Sequence, residues 1–448
     1  MTGGPETGTA AGTAAGTGPE AGARVGTGAG TGVGVGAEVG AGAGAEGLLP
    51  GIPQQAGPVD GPPVAPPAWP QPARRTLADR IGDALVTGFT AFTGRPLARY
   101  QAAVVRIGFA LVVTVQLLRE WPHRRLLYGD RSPWSLDLSR ELLAQTHGFT
   151  VLDWQNGRWW FEGGYALALL AAVLMLLGWR TRFSSVLFLV TVISLQNRSI
   201  LVGDGGDNLV HLMAIYLAFT RCAEVWSLDA RRRARRREPG SASGVLLWAL
   251  SAGLLTAAQL TGRISWTVAD WPYLGWAAFF WAAWACAGLW YAVNRWWPRG
   301  EPRAVLDALG SMLHHCAMLV IAAQVVLVYA TAGLYKVQGS RWQDGSALYY
   351  PLHLDYFTPW PALSGLLGHS MLVVFALSYG TVLMQVAFPF TLWNRRLKNA
   401  LLALMITEHL AIAVLLGLPV FSLAMIAADS VFLPTGALLW VARKLRRS

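Results

Sequence analysis

Stretches of about 20 mostly apolar residues, the length a bilayer span requires, recur along this chain after Arg99. Ten lie near 101–119, 163–179, 183–202, 207–225, 244–260, 273–293, 312–335, 370–392, 398–416 and 419–434, some short or interrupted by polar residues. With 54% hydrophobic and 14% charged residues and a mean hydropathy of +0.39, a chain of 448 residues is too apolar for an ordinary soluble protein. The expected fold class is all-α: a polytopic transmembrane helical bundle of about ten spans with a disordered N-terminal tail, integral to the cell membrane and in contact with lipid.

Residues 1–72 are mostly Gly, Ala, Thr and Pro and lack the apolar periodicity that buries a core. They also lack the basic start and compact apolar centre of a secretory signal. Residues 73–99 read as an interfacial amphipathic segment, with Leu77, Ile81, Leu85, Phe89 and Phe92 at helical spacing. The membrane domain is expected over 100–435 and a basic C-terminus over 436–448.

A net charge of +11 could indicate a nucleic-acid partner, but the basic residues fall in short segments between apolar runs. That pattern reports membrane topology, and no nucleic-acid partner is expected. Arg74, Arg75 and Arg80, then Arg180 and Arg182, Arg231 to Arg237, Arg295 to Arg303, Arg395 to Lys398 and the C-terminus all share one side if both termini are cytoplasmic. The long loop with Arg119, Arg124, Arg125 and Arg131 departs from the rule. Lys336 and the Asp204-Gly205-Gly206-Asp207 turn then face the extracytoplasmic side. Cys222, Cys286 and Cys316 have no paired spacing, so neither a disulfide framework nor a cysteine metal site is expected.

Polar and ionisable residues inside spans are costly and mark a partner, a cavity or a functional site. Here they are Arg106, Asn197, Arg198, His211, Glu408, His409 and Asp429. Charge balance suggests that Arg106 and Arg198 pair with Glu408, Asp429, Asp204 or Asp207. Asp204 and Asp207 admit two readings: helix capping, with Asp207 as N-cap of the next span, or orientation of a cation or base. His211 is the one nearby candidate ligand, too few for a mononuclear metal site, and no metal is predicted.

Of 36 Lys and Arg residues, lysine occurs only at Lys336, Lys398 and Lys444, and Lys336 alone ends an apolar span. Arginine keeps its proton in proteins, whereas lysine can exchange it, so a lysine retained here suggests proton chemistry. The alternative is a snorkelling side chain at a helix end. Trp342 and the aromatic stretch through Tyr349, Tyr350, Tyr356, Phe357 and Trp360 read either as an interfacial belt or as the entrance for a flat, lipid-soluble ligand.

Ser194-Leu195-Gln196-Asn197-Arg198 with Asp204-Gly205-Gly206-Asp207, Trp226-Ser227-Leu228-Asp229, and Ala332-Gly333-Leu334-Tyr335-Lys336 with Trp342 and Gly345 occur in that order. Together with Glu408-His409-Leu410-Ala411-Ile412 and Phe421 to Asp429, they resemble the membrane domain of vitamin K-dependent gamma-glutamyl carboxylases and their bacterial relatives, the horizontally transferred transmembrane (HTTM) domain family. The resemblance covers most of residues 100–435. It implies a membrane quinol of vitamin K or menaquinol type, whose oxygenation yields a base strong enough to take a γ-proton from glutamate, after which the carbanion takes up carbon dioxide. The family's lysine falls on Lys336, with Asn197, Arg198, Asp204, Asp207, His211, Trp342, Glu408 and His409 as supporting polar residues. Tyr335 stands where animal carboxylases carry a second lysine, and no large extracytoplasmic domain follows the last span. The function expected is therefore either a quinol-dependent extracytoplasmic enzyme acting on a secreted peptide or protein, or a non-enzymatic factor for maturation of, or protection against, a secreted peptide.

Overall fold

The computed structural model describes residues 77–94, 96–235, 242–264, 267–268, 271–272 and 274–445, so the expected tail over 1–72 lies outside the described residues. The chain runs through α1 (Leu77–Gly94), α2 (Arg99–Glu120), α3 (Arg124–Leu127) and α4 (Leu136–Thr146) into α5 (Arg158–Leu177), α6 (Thr181–Arg198), α7 (Gly205–Phe219) and α8 (Leu228–Ala234). There follow α9 (Ala242–Leu260), α10 (Trp276–Trp296), the long α11 (Glu301–Gln338), and the short α12 (Ser340–Gln343), α13 (Tyr349–His353) and α14 (Pro361–Gly368). The last helices are α15 (Met371–Thr391), α16 (Arg395–Leu415), α17 (Pro419–Asp429) and α18 (Thr435–Leu445). The one β ladder among the described residues pairs Thr267–Val268 with Trp271–Pro272 between α9 and α10.

A helix stands at each of the ten expected spans. Among the described residues, seven helical stretches are long and apolar enough to cross a bilayer, or eight if the pair bent by 112° after Phe432 is one span. Of the expected spans, α17 enters that set only as part of the bent pair, and α6 and α7 stay outside it. Much of each is buried against neighbouring helices, so their side chains need not be uniformly lipid-soluble. α7 packs on α2, α6, α11 and α17, and α17 in turn packs on α2 and α16. By contrast α9 and α10 pack chiefly on each other, through a Trp248–Trp284 stack with ring centroids 4.3 Å apart. Each of these indoles also donates to the other residue's backbone carbonyl at 3.1 Å.

Small residues let the central helices approach. A Cβ added at Gly108 of α2 would lie 2.7 Å from Ala427 Cβ on α17, and one at Gly206 of α7 would lie 2.9 Å from Phe421 Cα. Basic residues from several segments meet at one end: Arg221 reaches Asp307 at 3.4 Å, and Arg182 and Arg303 both lie over the Trp290 ring.

Arg106 corrects the charge pairing expected from sequence. Its side chain is 0% exposed and touches no carboxylate; it donates to the carbonyls of Met175 at 2.5 Å, Leu176 at 2.8 Å, Cys222 at 3.3 Å and Trp226 at 2.7 Å. The last carbonyls of a helix lack intrahelical donors and carry partial negative charge, so a guanidinium at the end of α5 is satisfied without an acid. Gly178, at φ +64°, closes that end; a Cβ there would meet Arg106 Nη1 at 2.9 Å and Ser227 Cβ at 2.4 Å. Arg198 likewise pairs with neither expected region: it lies 3.6 Å from Asp153 and donates to the Trp134 carbonyl at 3.0 Å.

Arg106→Met would leave the Leu176, Cys222 and Trp226 carbonyls short of a donor, Met175 keeping the Gly178 N–H, and each unsatisfied buried polar group costs about 1–3 kcal/mol. Loss of the cooperative melting transition in detergent is expected for Arg106→Met and a lowered transition for Arg106→Lys. A wild-type transition in Arg106→Met would show that the carbonyls find other partners.

Candidate functional site

Four residues at helical spacing, Gln324, Val328, Ala332 and Lys336, place one stripe of α11 on the wall of a cavity of about 250 Å³. Tyr329 joins from the same helix, Gly205 and Asn208 from the start of α7, Gln385 from α15, His409 from α16, and Phe421 and Met425 from α17. The wall is mostly apolar in area, and its polar side chains are those of Asn208, Gln324, Tyr329, Lys336, Gln385 and His409.

The last four of these, with Glu408 and Asp429, form two hydrogen-bonded sets. In the first, Lys336 Nζ donates to Gln385 Oε1 at 2.9 Å, and Gln385 Nε2 donates to Glu408 Oε1 at 3.3 Å. Trp342, carried by α12 just beyond the end of α11, sets its ring centroid 5.2 Å from Lys336 Nζ, a cation–π distance. Gly333 allows the first set to form: a Cβ there would lie 2.8 Å from Val386 Cγ2 and 3.0 Å from Val386 N, so only glycine lets α11 come this close to α15. In the second set Tyr329 Oη lies 2.9 Å from His409 Nε2 and donates to Asp429 Oδ2 at 3.0 Å.

A second cavity of about 240 Å³ adjoins the first turn of α7 and shares Asn208 with it. Gln116, Tyr128, Gln196, Asp204 and Asp207 line it, and no lysine or arginine does. Asp204, not Asp207, is the N-cap of α7: its Oδ1 accepts from the backbone N–H of Gly206 at 2.6 Å and of Asp207 at 3.1 Å. Asp207 completes a capping box by accepting from the Asp204 N–H at 2.9 Å, and its other oxygen accepts from Gln116 Nε2 at 2.8 Å. Gln196 donates to the Asp207 carbonyl.

The structure therefore divides the residues singled out in the sequence. Lys336 and His409 line the first cavity, Trp342 lies against Lys336 and Glu408 behind Gln385, and Asp204 and Asp207 stand at the neighbouring cavity. Asn197 donates to the Phe149 carbonyl at 2.8 Å and Arg198 holds the Asp153 loop, so both are taken up in local structure. His211 lines neither cavity. Tyr335, where the resemblance expects a second lysine, is 77% exposed and does not line the cavity. Among the described residues no three His, Cys, Asp or Glu side chains stand close enough together to hold a metal ion.

Sequence reasoning did not single out Tyr329, Gln324 or Gln385, and gave Asp429 no role in a site. Their signal was present: two amides interrupt apolar runs, and Tyr329 precedes Lys336 by seven residues, two turns along the same face.

The close α11–α15 approach predicts opposite fates for two glycines. Gly333→Ala is expected to lower the melting temperature in detergent by an overpacking cost of about 1–3 kcal/mol. Gly380→Ala on α15, whose Cβ would meet nothing within 4 Å, is expected to leave it unchanged or raise it slightly. Equal melting of the two variants would contradict the close approach.

Comparison with known proteins gives one positive finding: a family model described as HTTM domain matches residues 95–252. No curated protein and no solved structure matches this chain.

Proposed function

Because residues 95–252 match a family model described as HTTM domain, within an integral, multi-pass membrane protein, we propose that the chain is a quinol-dependent enzyme of the extracytoplasmic face with Lys336 as its base. The observation that supports this best is the setting of Lys336. The only lysine at the end of an apolar span lines a mostly apolar cavity, hydrogen-bonded through Gln385 to a carboxylate. The placement of Gly205 and Asn208 on the same cavity wall as Lys336 agrees with the charge pattern, which puts both regions on one face if both termini are cytoplasmic.

The residues present fit a quinol headgroup. Pockets for whole drug-sized ligands run to about 300–1,000 Å³. A cavity of about 250 Å³ suits one aromatic headgroup, with any isoprenoid tail left in the bilayer. Leu209, Leu212, Val328, Phe421 and Met425 supply apolar contact for such a ring. A bound quinol would supply, on reaction with oxygen, the strong base that the carboxylase resemblance implies. Within the chain, Lys336 Nζ holds or accepts the hydroxyl proton, Gln385 fixes the direction of the amine, and Glu408 at the end of that chain offers the carboxylate that balances its charge.

The neighbouring cavity favours a second reading, a non-enzymatic accessory factor for maturation of, or protection against, a secreted peptide. With Asp204 and Asp207 on its wall and no lysine or arginine, it offers no cationic partner for the carboxylate of a glutamate acceptor.

The test is turnover of menadiol and fixation of labelled carbon dioxide by the full chain in lipid. Loss of a positioned base lowers rates by about 10²–10⁴, and that loss is expected in Lys336→Arg as much as in Lys336→Ala, since arginine keeps the charge but not the exchangeable proton. Normal turnover in Lys336→Arg would remove the lysine from the chemistry, and no turnover in folded wild-type protein would leave the accessory reading.

A further inference from the structure

The second hydrogen-bonded set at the cavity is not used by a mechanism that needs only Lys336. Tyr329, His409 and Asp429 are 1%, 2% and 0% exposed, on three different helices. With Asp429 ionised, the one proton of Tyr329 Oη is donated to Asp429 Oδ2. The same hydroxyl can therefore interact with His409 Nε2, 2.9 Å away, only as an acceptor. That requirement puts the imidazole proton on Nε2 and leaves Nδ1 a bare acceptor. Nδ1 is buried and has no hydrogen-bond partner among the described residues. Native proteins rarely leave a buried polar atom unpaired, and each exception calls for an explanation.

We propose that His409 is a specificity-determining contact of the cavity: its bare Nδ1 accepts a hydrogen bond from a hydroxyl of the ligand, and Tyr329 and Asp429 are positioning residues that hold the ring in that tautomer. This rests on the reading of the cavity as a quinol-headgroup site. A hydroquinone offers two hydroxyl donors, whereas the oxidised quinone offers only acceptors. A ring nitrogen locked as an acceptor rewards the first and leaves the second facing an unpaired lone pair. His409 therefore makes the cavity select the reduced headgroup. Without Tyr329 or Asp429 the proton is free to move to Nδ1, and the imidazole can then serve either redox form.

The experiment measures binding of menadiol, under anaerobic conditions, and of menadione to the full chain in lipid nanodiscs, read by quenching of tryptophan fluorescence. 1,4-Dimethoxynaphthalene serves as a probe of similar ring size without donors. Wild-type protein is expected to bind menadiol about tenfold more tightly than menadione, and dimethoxynaphthalene no better than menadione. Tyr329→Phe, Asp429→Asn and His409→Leu are each expected to bring the ratio of menadiol to menadione affinity close to one. The ratio, unlike affinity itself, does not move when a substitution merely loosens the bundle. Naphthoquinone binding with the wild-type ratio intact in Tyr329→Phe and His409→Leu overturns this proposal and leaves the quinol site standing. No binding of either redox form, in wild-type protein with a normal melting transition, overturns the quinol reading and this proposal together.

Discussion

A bundle immersed in lipid must satisfy its polar groups from within, because the hydrocarbon around it offers no partner. Arg106 answers that constraint for the first half of the molecule. One buried guanidinium on α2 draws together the C-terminal end of α5 and, through the Cys222 and Trp226 carbonyls, the segment that follows α7. The same segment returns a carboxylate: Asp229 accepts from the backbone N–H groups of Arg180 at 3.0 Å and Thr181 at 2.7 Å, the start of α6. A cation at one helix end and an anion at the next are the placements that the backbone dipoles favour. The Trp226-Ser227-Leu228-Asp229 stretch is thus a clamp that fixes where α5 ends and α6 begins.

With α2, α5 and α6 held in place, α7 can begin at a fixed point beside α11 and α17, and the cavity exists because of that placement. Its capping box ties Asp204 and Asp207 to the helix end, and Gln116 of α2 ties Asp207 to the clamp's own helix. On the other wall Gly333 sets the α11–α15 distance that lets Lys336 reach Gln385. Lys336, Gln385, Tyr329 and His409 are hydrogen-bonded at the cavity, and three atoms of these two sets are left open. Those are Glu408 Oε2, His409 Nδ1 and Asp429 Oδ1, all at or just behind the cavity.

The helices were legible in the sequence because apolar runs of bilayer length leave few other folds, and a helix stands at each expected span. Lys336 was legible by contrast with the arginines around it. The partners were not. Arg106 looked like a charge in search of an acid, but backbone carbonyls carry no residue signature, so a guanidinium satisfied by a helix end cannot be told from one that is ion-paired; Arg198 does meet an acid, but it is Asp153 of a loop that no motif links to it. The set built on Tyr329 joins residues 80 and 100 positions apart, with no motif linking them. Asn197 and Arg198, which the resemblance grouped with the site, hold the Phe149 and Asp153 loops instead; chain proximity to Asp204 concealed that difference.

The central claim is that the cavity between α7, α11, α15, α16 and α17 holds the ring of a lipid-soluble quinol. The most direct measurement is photoaffinity labelling of the full chain in lipid with an azido-substituted naphthoquinone, the adducts being mapped by mass spectrometry. The account predicts adducts on 324–336 and 405–425 that an excess of menadiol suppresses. Adducts confined to the lipid-facing surface of α9 and α10, or to the cavity beside Asp204 and Asp207, would contradict it.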